Sequence, residues 1–228
     1  MVSLVPSVTE TLLHWGITPV GVTRFCEQPT LPAFGGTKDP DIAGLLALAP
    51  DLVVLNDEEN RKEDHDALID ANQRVLVLTI TSVDDVRPAM GQLAAGCGCE
   101  PPVMPPFLGG APQRLRAFVP IWRRPWMTLN GATYGSSLLD RLGVRNVFAG
   151  AADRYHAVTV DDIAAQRPDV ILAPTEPYPF AERHAAELAD IAPMVLVDGQ
   201  DLFWWGSRTP SALVRLSDHI ATIDAAHD

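Results

Sequence analysis

The stretch "LALAPDLVVLNDEEN" (residues 46–60) runs from an apolar segment through Pro50-Asp51 into "LVVL", then into a cluster of acids and amides. "AAQRPDVILAPTEPY" (residues 164–178) repeats that phrase in the second half of the chain. Proline stops a helix, and a short apolar run without alternation reads as a strand covered on both faces. Two further pairs of segments match in the same order: "TLLHWGITPVGVT" (11–23) with "SLLDRLGVRNVFA" (137–149), and "HDALIDANQRVLVL" (65–78) with "HAAELADIAPMVLV" (184–197). The chain therefore reads as two copies of one unit.

Each copy alternates strand and helix. The pattern predicts strands at 2–5, 20–23, 52–55 and 75–80, with helices at 9–15 (Ser7 or Thr9 as N-cap), 41–49 and 61–71. In the second copy it predicts strands at 126–129, 144–148, 170–173 and 194–197, with helices at 134–142, 160–166 and 181–190. Such alternation implies parallel sheets with right-handed crossovers. The expected fold class is α/β, in two lobes at 1–86 and 120–228. Residues 87–119, with the Pro/Gly-rich run "GCGCEPPVMPPFLGGAP", form the boundary.

Composition narrows the function. The 228 residues are 47% hydrophobic, enough for a sizeable core. A net charge of −12 argues against nucleic acid, since no basic surface is left to displace phosphate counterions. No apolar run approaches the roughly 18 residues of a membrane span. No basic leader with an apolar core opens the chain, so the sequence as given reads as cytoplasmic, or as periplasmic or extracellular if its start is trimmed. Three cysteines make a disulfide framework unexpected. Cys97-Gly98-Cys99 could ligate metal, but two thiols without a second pair favour a plain loop.

In open α/β sheets ligands collect beyond the carboxyl ends of the strands. That rule selects Pro6 and Ser7, Arg24 and Phe25, and residues 57–60 including Glu59 in the first lobe. In the second it selects residues 130–134 with Tyr134, then Glu176 and Tyr178, then "DLFWWGSRTP" (201–210) with Phe203, Trp204, Trp205 and Arg208. Aromatic rings and guanidinium groups facing one cleft suit a large flat ligand, although buried packing is the competing use of such tryptophans. Catalytic and nucleotide-binding signatures are missing: there is no G-x-G-x-x-G after a strand and no G-x-x-x-x-G-K-[ST]. Glu58, Glu59 and Glu176 could bind a hard cation or stand solvated. One histidine at a cleft mouth, His156, makes no metal site.

Taken together, "SLVPSVTETL" (3–12), "VGVTRF" (20–25), "GGTKDPDI" (35–42), "LAPDLVV" and "FWWGSRTP" resemble the cobalamin-binding type of ABC-transporter substrate-binding proteins, in the helical-backbone metal receptor superfamily. The resemblance spans nearly the whole chain. It implies two Rossmann-like lobes facing a central cleft and joined by a bridging helix, with a cobalamin or similar metal chelate clasped non-covalently and no chemistry performed. It places aromatics at Phe25 and at Trp204 or Trp205, and puts Lys38 where a tryptophan would stand. It also implies that one acid per lobe, nearest Glu63 and Glu187, docks on an ABC permease. The alternatives are a bare metal-ion, heme or siderophore receptor; a two-lobed enzyme such as a chelatase using His156 and Glu176; and an interaction module with a vestigial cleft. Pro88, Pro101, Pro102, Pro105, Pro106 and Pro112 predict a degenerate bridge: an irregular loop near 96–110, then a helical remnant at 112–119.

Overall fold

The computed structural model describes residues 1–108 and 110–224; Gly109 of the expected bridge and 225–228 of the expected second lobe lie outside the described residues. The chain is mixed α/β and divides into two compact units. One comprises Met1–Ile80, Asp84–Met104 and Trp205–Ser207, and the other the described residues of Thr81–Val83, Pro105–Trp204 and Arg208–Asp228.

In the first unit, β1 (Val2–Ser3), β2 (Val53–Asn56) and β3 (Val75–Leu78) form a parallel sheet in the order β1-β2-β3, with Val2 opposite Val53 and Val53 opposite Val75. The segment at 20–23 forms isolated bridges, Val2 to Gly21 and Val22 to Ala33, where a strand was expected. Helix α1 (Pro6–His14) begins earlier than expected, with Val5 as N-cap and Pro6 in the first turn. Proline's fixed φ and missing N–H suit that position, so neither Ser7 nor Thr9 caps it. Helix α2 (Ile42–Ala47) is capped by Asp41, and α3 (Lys62–Asp70) crosses from β2 to β3. Val2, Leu4, Leu45, Val53, Leu55 and Leu68 pack as one cluster with Phe34, Ile42, Leu46 and Val75.

Helix α4 (Val86–Cys97) corrects the reading of the bridge. Pro88 sits in its first turn, where the N–H has no intrahelical partner to lose, so the helix forms. It ends at Gly98 (φ 71), with the Gly98 N–H on the Ala95 carbonyl and the Cys99 N–H on the Ala94 carbonyl. Helix therefore precedes irregular chain, the reverse of the expected order. The predicted helical remnant at 112–119 is instead strand β4 (Leu115–Phe118). Leu115, Ala117 and Phe118 are buried in mid-sheet, where extended pairing outweighs helical spacing.

The second unit holds a parallel sheet in the order β10-β9-β4-β7, with β7 (Val144–Asn146), β9 (Val170–Pro174) and β10 (Met194–Val197). Residues 126–129, expected to be a parallel strand, belong to an antiparallel sheet of β5 (Pro120–Trp122), β6 (Trp126–Leu129) and β8 (Tyr155–Val158). The few residues between β5 and β6 are too short for a parallel crossover. Helices α5 (Tyr134–Arg141), α6 (Val160–Gln166), α7 (Gly199–Phe203) and α8 (Thr209–Asp224) complete the unit. The helix expected at 181–190 is a 3-10 segment, Glu182–Glu187, in which His184 Nδ1 accepts the Ala181 N–H.

The repeat is visible in these elements. Gly16 and Gly143 follow α1 and α5 with φ of 75 and 79. Ala49 and Arg167, each just before a Pro-Asp pair, have φ of 45 and 47. The two copies thus share these two left-handed positions as well as their apolar patterns.

Candidate ligand-binding surfaces

In the first unit, the turn after β2 is latched by two amides. Asn56 Oδ1 accepts the N–H groups of Glu58 (2.9 Å) and Glu59 (3.1 Å). Asn60 Oδ1 accepts the Asn56 N–H, and its Nδ2 donates to the carbonyls of Leu4 (3.2 Å) and Thr37 (3.0 Å). Lys38 Nζ donates to the Glu58 carbonyl at 2.6 Å. Sequence reasoning selected 57–60, Asn60 included, but singled out the acids; Asn56, at the strand end just before that segment, was missed.

Arg24 makes two 3.0 Å bonds to the Asp39 carboxylate, and its guanidinium lies 4.8 Å from the Phe25 ring centroid. The arginine holds the exposed Asp39 below the usual carboxylate range. Phe25 is 50% exposed, so half of a large apolar ring faces solvent. A Cβ on Gly36 would lie 2.5 Å from Asp39 Oδ1 and 2.7 Å from Arg24 Nη2, which explains glycine in this turn. Pro6 and Ser7 are buried at the start of α1, where Ser7 Oγ has no hydrogen-bond partner. Glu63 is exposed on the first turn of α3.

In the second unit, the chain after β9 enters an aromatic cluster. Tyr178 lies 5.4 Å from Trp122, 4.7 Å from Phe180 and 5.6 Å from His184 between ring centroids. Trp126 stacks on Phe180 at 6.0 Å. Trp122 is 46% exposed, whereas Phe180 and His184 are buried. Burial and the nearby arginines hold His184 below the usual imidazole range, favouring its neutral form. Only Tyr178 of this cluster was predicted; Trp122 and Trp126 were missed because residues 120–125 were given no element and 126–129 was read as a parallel strand. Glu187 accepts from Arg123 Nε at 2.8 Å, so this expected docking acid already has a cationic partner. Glu176 stands just before Pro177 and close against the Gly199 backbone.

Five other expected residues take on new surroundings once placed. Tyr134 is buried, and its hydroxyl lies 3.0 Å from Thr209 Oγ1; burial pushes its ionisation far up. Trp205 is 3% exposed and is a packing residue. Phe203 and Trp204 are half-buried: the Phe203 ring would lie 2.9 Å from a Cβ on Gly135, and Trp204 lies 5.6 Å from the Arg208 guanidinium. Arg208 itself is held inward by Asp201 (2.9 Å) and Gln200 (3.1 Å). Buried Asp201 also accepts two 2.6 Å bonds from Arg215. Burial raises the Asp201 pKa, but the two guanidinium groups outweigh it and hold the carboxyl below its usual range.

His156, the other chelatase candidate, packs edge-on against Phe148 with Nδ1 3.2 Å from the Asp153 carbonyl. Among the described residues, no group of three or more His, Cys, Asp or Glu side chains is placed to hold a metal ion. No described helix is long and apolar enough to cross a membrane.

No family model matches the chain. Among curated proteins it is similar to the vitamin B12-binding protein of Salmonella choleraesuis, 23% identical over 193 residues, covering 75% of this chain and 71% of that protein. The vitamin B12-binding protein of Vibrio parahaemolyticus is 22% identical over 203 residues, covering 81% and 71%. Among solved structures, the periplasmic vitamin B12 binding protein BtuF of Vibrio cholerae superposes with a TM-score of 0.78 at 18% identity, covering 97% of this chain and 96% of that one. The periplasmic heme-binding protein BhuT, solved with two hemes, gives 0.79 at 21% identity, covering 98% of each. The chain has the α/β fold of these periplasmic binding proteins.

Proposed function

We propose that this chain is a non-catalytic substrate-binding protein for a flat metal chelate, a corrinoid first, which it presents to an ABC permease from outside the membrane. The carrying observation is the ring cluster beyond β9, where Trp122 stands half-exposed against Tyr178. The first unit offers a comparable ring at Phe25, backed by Arg24. The names of the curated relatives and the shared fold support the reading. Exposed Glu63 is the better candidate for permease docking; Glu187 would first have to exchange its bond to Arg123.

A second reading is heme. It draws on Lys38, a cation where the resemblance places an aromatic, which suits a ligand with carboxylate arms. Cyanocobalamin and hemin, titrated separately against tryptophan fluorescence and by calorimetry, distinguish the two. Saturable cobalamin binding weakened at least about tenfold by Trp122→Ala, or roughly 1.4 kcal/mol, is the expected result. Hemin binding alone would transfer the proposal to heme, and binding of neither would overturn it.

A further inference from the structure

The last turn of α4 comes very close to the sheet of the first unit. A Cβ on Gly96 would meet Leu52 Cδ2 at 3.1 Å and Leu76 Cδ2 at 3.3 Å. That approach brings Cys97 to the residue preceding β1, and its thiol donates to the Met1 thioether at 3.7 Å. Gly98 then turns the chain in the left-handed region, and the Cys99 N–H closes back on the Ala94 carbonyl. The Met1 carbonyl is fixed in turn by the Val20 N–H at 3.0 Å. Cys97 and Met1 thus meet through their sulfur atoms at the amino ends of the strands, away from the 57–60 turn, and Cys99 follows two residues later on backbone anchored to Ala94. Neither cysteine is in a disulfide, and Cys99 is exposed.

We infer that Cys97, Cys99 and Met1 form a binding site for a soft monovalent cation, Cu(I), independent of the ligand proposed above. Thiolate and thioether donors select Cu(I), whereas calcium and magnesium need oxygen ligands. Structural zinc would lack its fourth protein ligand here. Binding replaces two S–H bonds with two Cu–S bonds and releases two protons, with no change in oxidation state. Because both thiols give up their protons on binding, affinity should fall as pH falls.

The test is anaerobic titration of the reduced full chain with Cu(I) against a coloured chelator, followed by X-ray absorption. One Cu(I) per chain, with a first shell of three sulfur atoms, is expected. Cys99→Ser, at an exposed position that leaves the fold intact, should weaken binding by at least about a hundredfold, and Cys97→Ser by a similar factor. Cys26→Ser should leave it unchanged, since that thiol lies among Thr9 and Thr23. Substoichiometric binding, nitrogen or oxygen in the shell, or a Cys99→Ser protein that binds like the parent would overturn the site. A shell of only two sulfurs would overturn the part given to Met1.

Discussion

The turn after β2 and the turn after β9 close the same repeated phrase with different chemistry. Both phrases enter through a left-handed residue before Pro-Asp, and both place a buried parallel strand next. After the strand they part. The first turn folds back on Asn56 and Asn60, whose amides satisfy backbone groups of the turn and the carbonyls of Leu4, Thr37 and Leu78. The second leads into aromatic rings, with Arg123 bonded to Glu187 beside them. Nearby, α7 and α8 are tied through buried Asp201. Duplication preserved what the backbone needs and released what the turn presents. One unit keeps a polar latch; the other carries aromatic surface and buried charge.

If this contrast is right, the largest loss falls on the second unit. Asp201→Ala leaves Arg208 without its buried partner and should lower stability by about 3 kcal/mol, at the lower end for a broken buried pair because Arg215 is half exposed. The pH dependence gives a sharper check. Asp201 has its folded pKa below the unfolded value of about 3.9. Its contribution is therefore full above that unfolded value and is lost as pH falls through the folded one. Urea unfolding at pH 7 and near pH 2 should show the gap between parent and Asp201→Ala closing in acid. A constant gap would mean that the charge on Asp201 does not supply the stability.

The matching change in the first unit is Asn60→Ala. It strands the Asn56 N–H and the carbonyls of Leu4 and Thr37, and should cost about 2 kcal/mol. Its effect should be flat across the same acid range, since no carboxylate is involved. Amide exchange should report faster opening of the 56–60 backbone than of β9.

Much of this architecture was legible in the sequence, for identifiable reasons. Pro-Asp followed by an apolar run marked β2 and β9, because a helix stop and two-sided burial both leave traces in composition. Helix α6 was placed correctly at 160–166, and the structure shows a capping box of Thr159 and Asp162 at its start. Strand β4 was not legible: "LRAFV" follows a proline-rich run and fits a short helix as well as a strand, and only pairing with β7 and β9 decides it. The site was harder still. Trp204 and Trp205 are adjacent and chemically identical, yet one is half-buried beside Arg208 and the other is core. No local pattern separates them; the packing around each does.

Within the aromatic cluster a smaller loss is expected. Trp122→Ala removes an edge-to-face contact with Tyr178 but exposes no buried polar group, so about 1 kcal/mol should disappear. Thermal unfolding of the ligand-free protein measures this separately from any effect on ligand affinity. A loss several times larger would make Trp122 a keystone of the fold and weaken its assignment to ligand.

The smallest effect tests the contrast from the other side. Arg24 and Asp39 form a bidentate ion pair in the first unit, with Nη1 and Nη2 each 3.0 Å from a carboxylate oxygen. Geometry alone would rank it beside Asp201. Yet both side chains are about half exposed, 51% and 57%, and water solvates the charges as well apart as together. Asp39→Asn should leave the unfolding midpoint within experimental error at ordinary salt. What it should change is Arg24, whose guanidinium would no longer be fixed above the Phe25 ring. The visible consequence belongs to ligand binding: a change in affinity for cobalamin or hemin that grows at low ionic strength, where a freed cation is least screened. A marked loss of stability would instead show the Arg24–Asp39 turn to be a structural latch like Asn60, and the first unit would then hold its loops by charge after all.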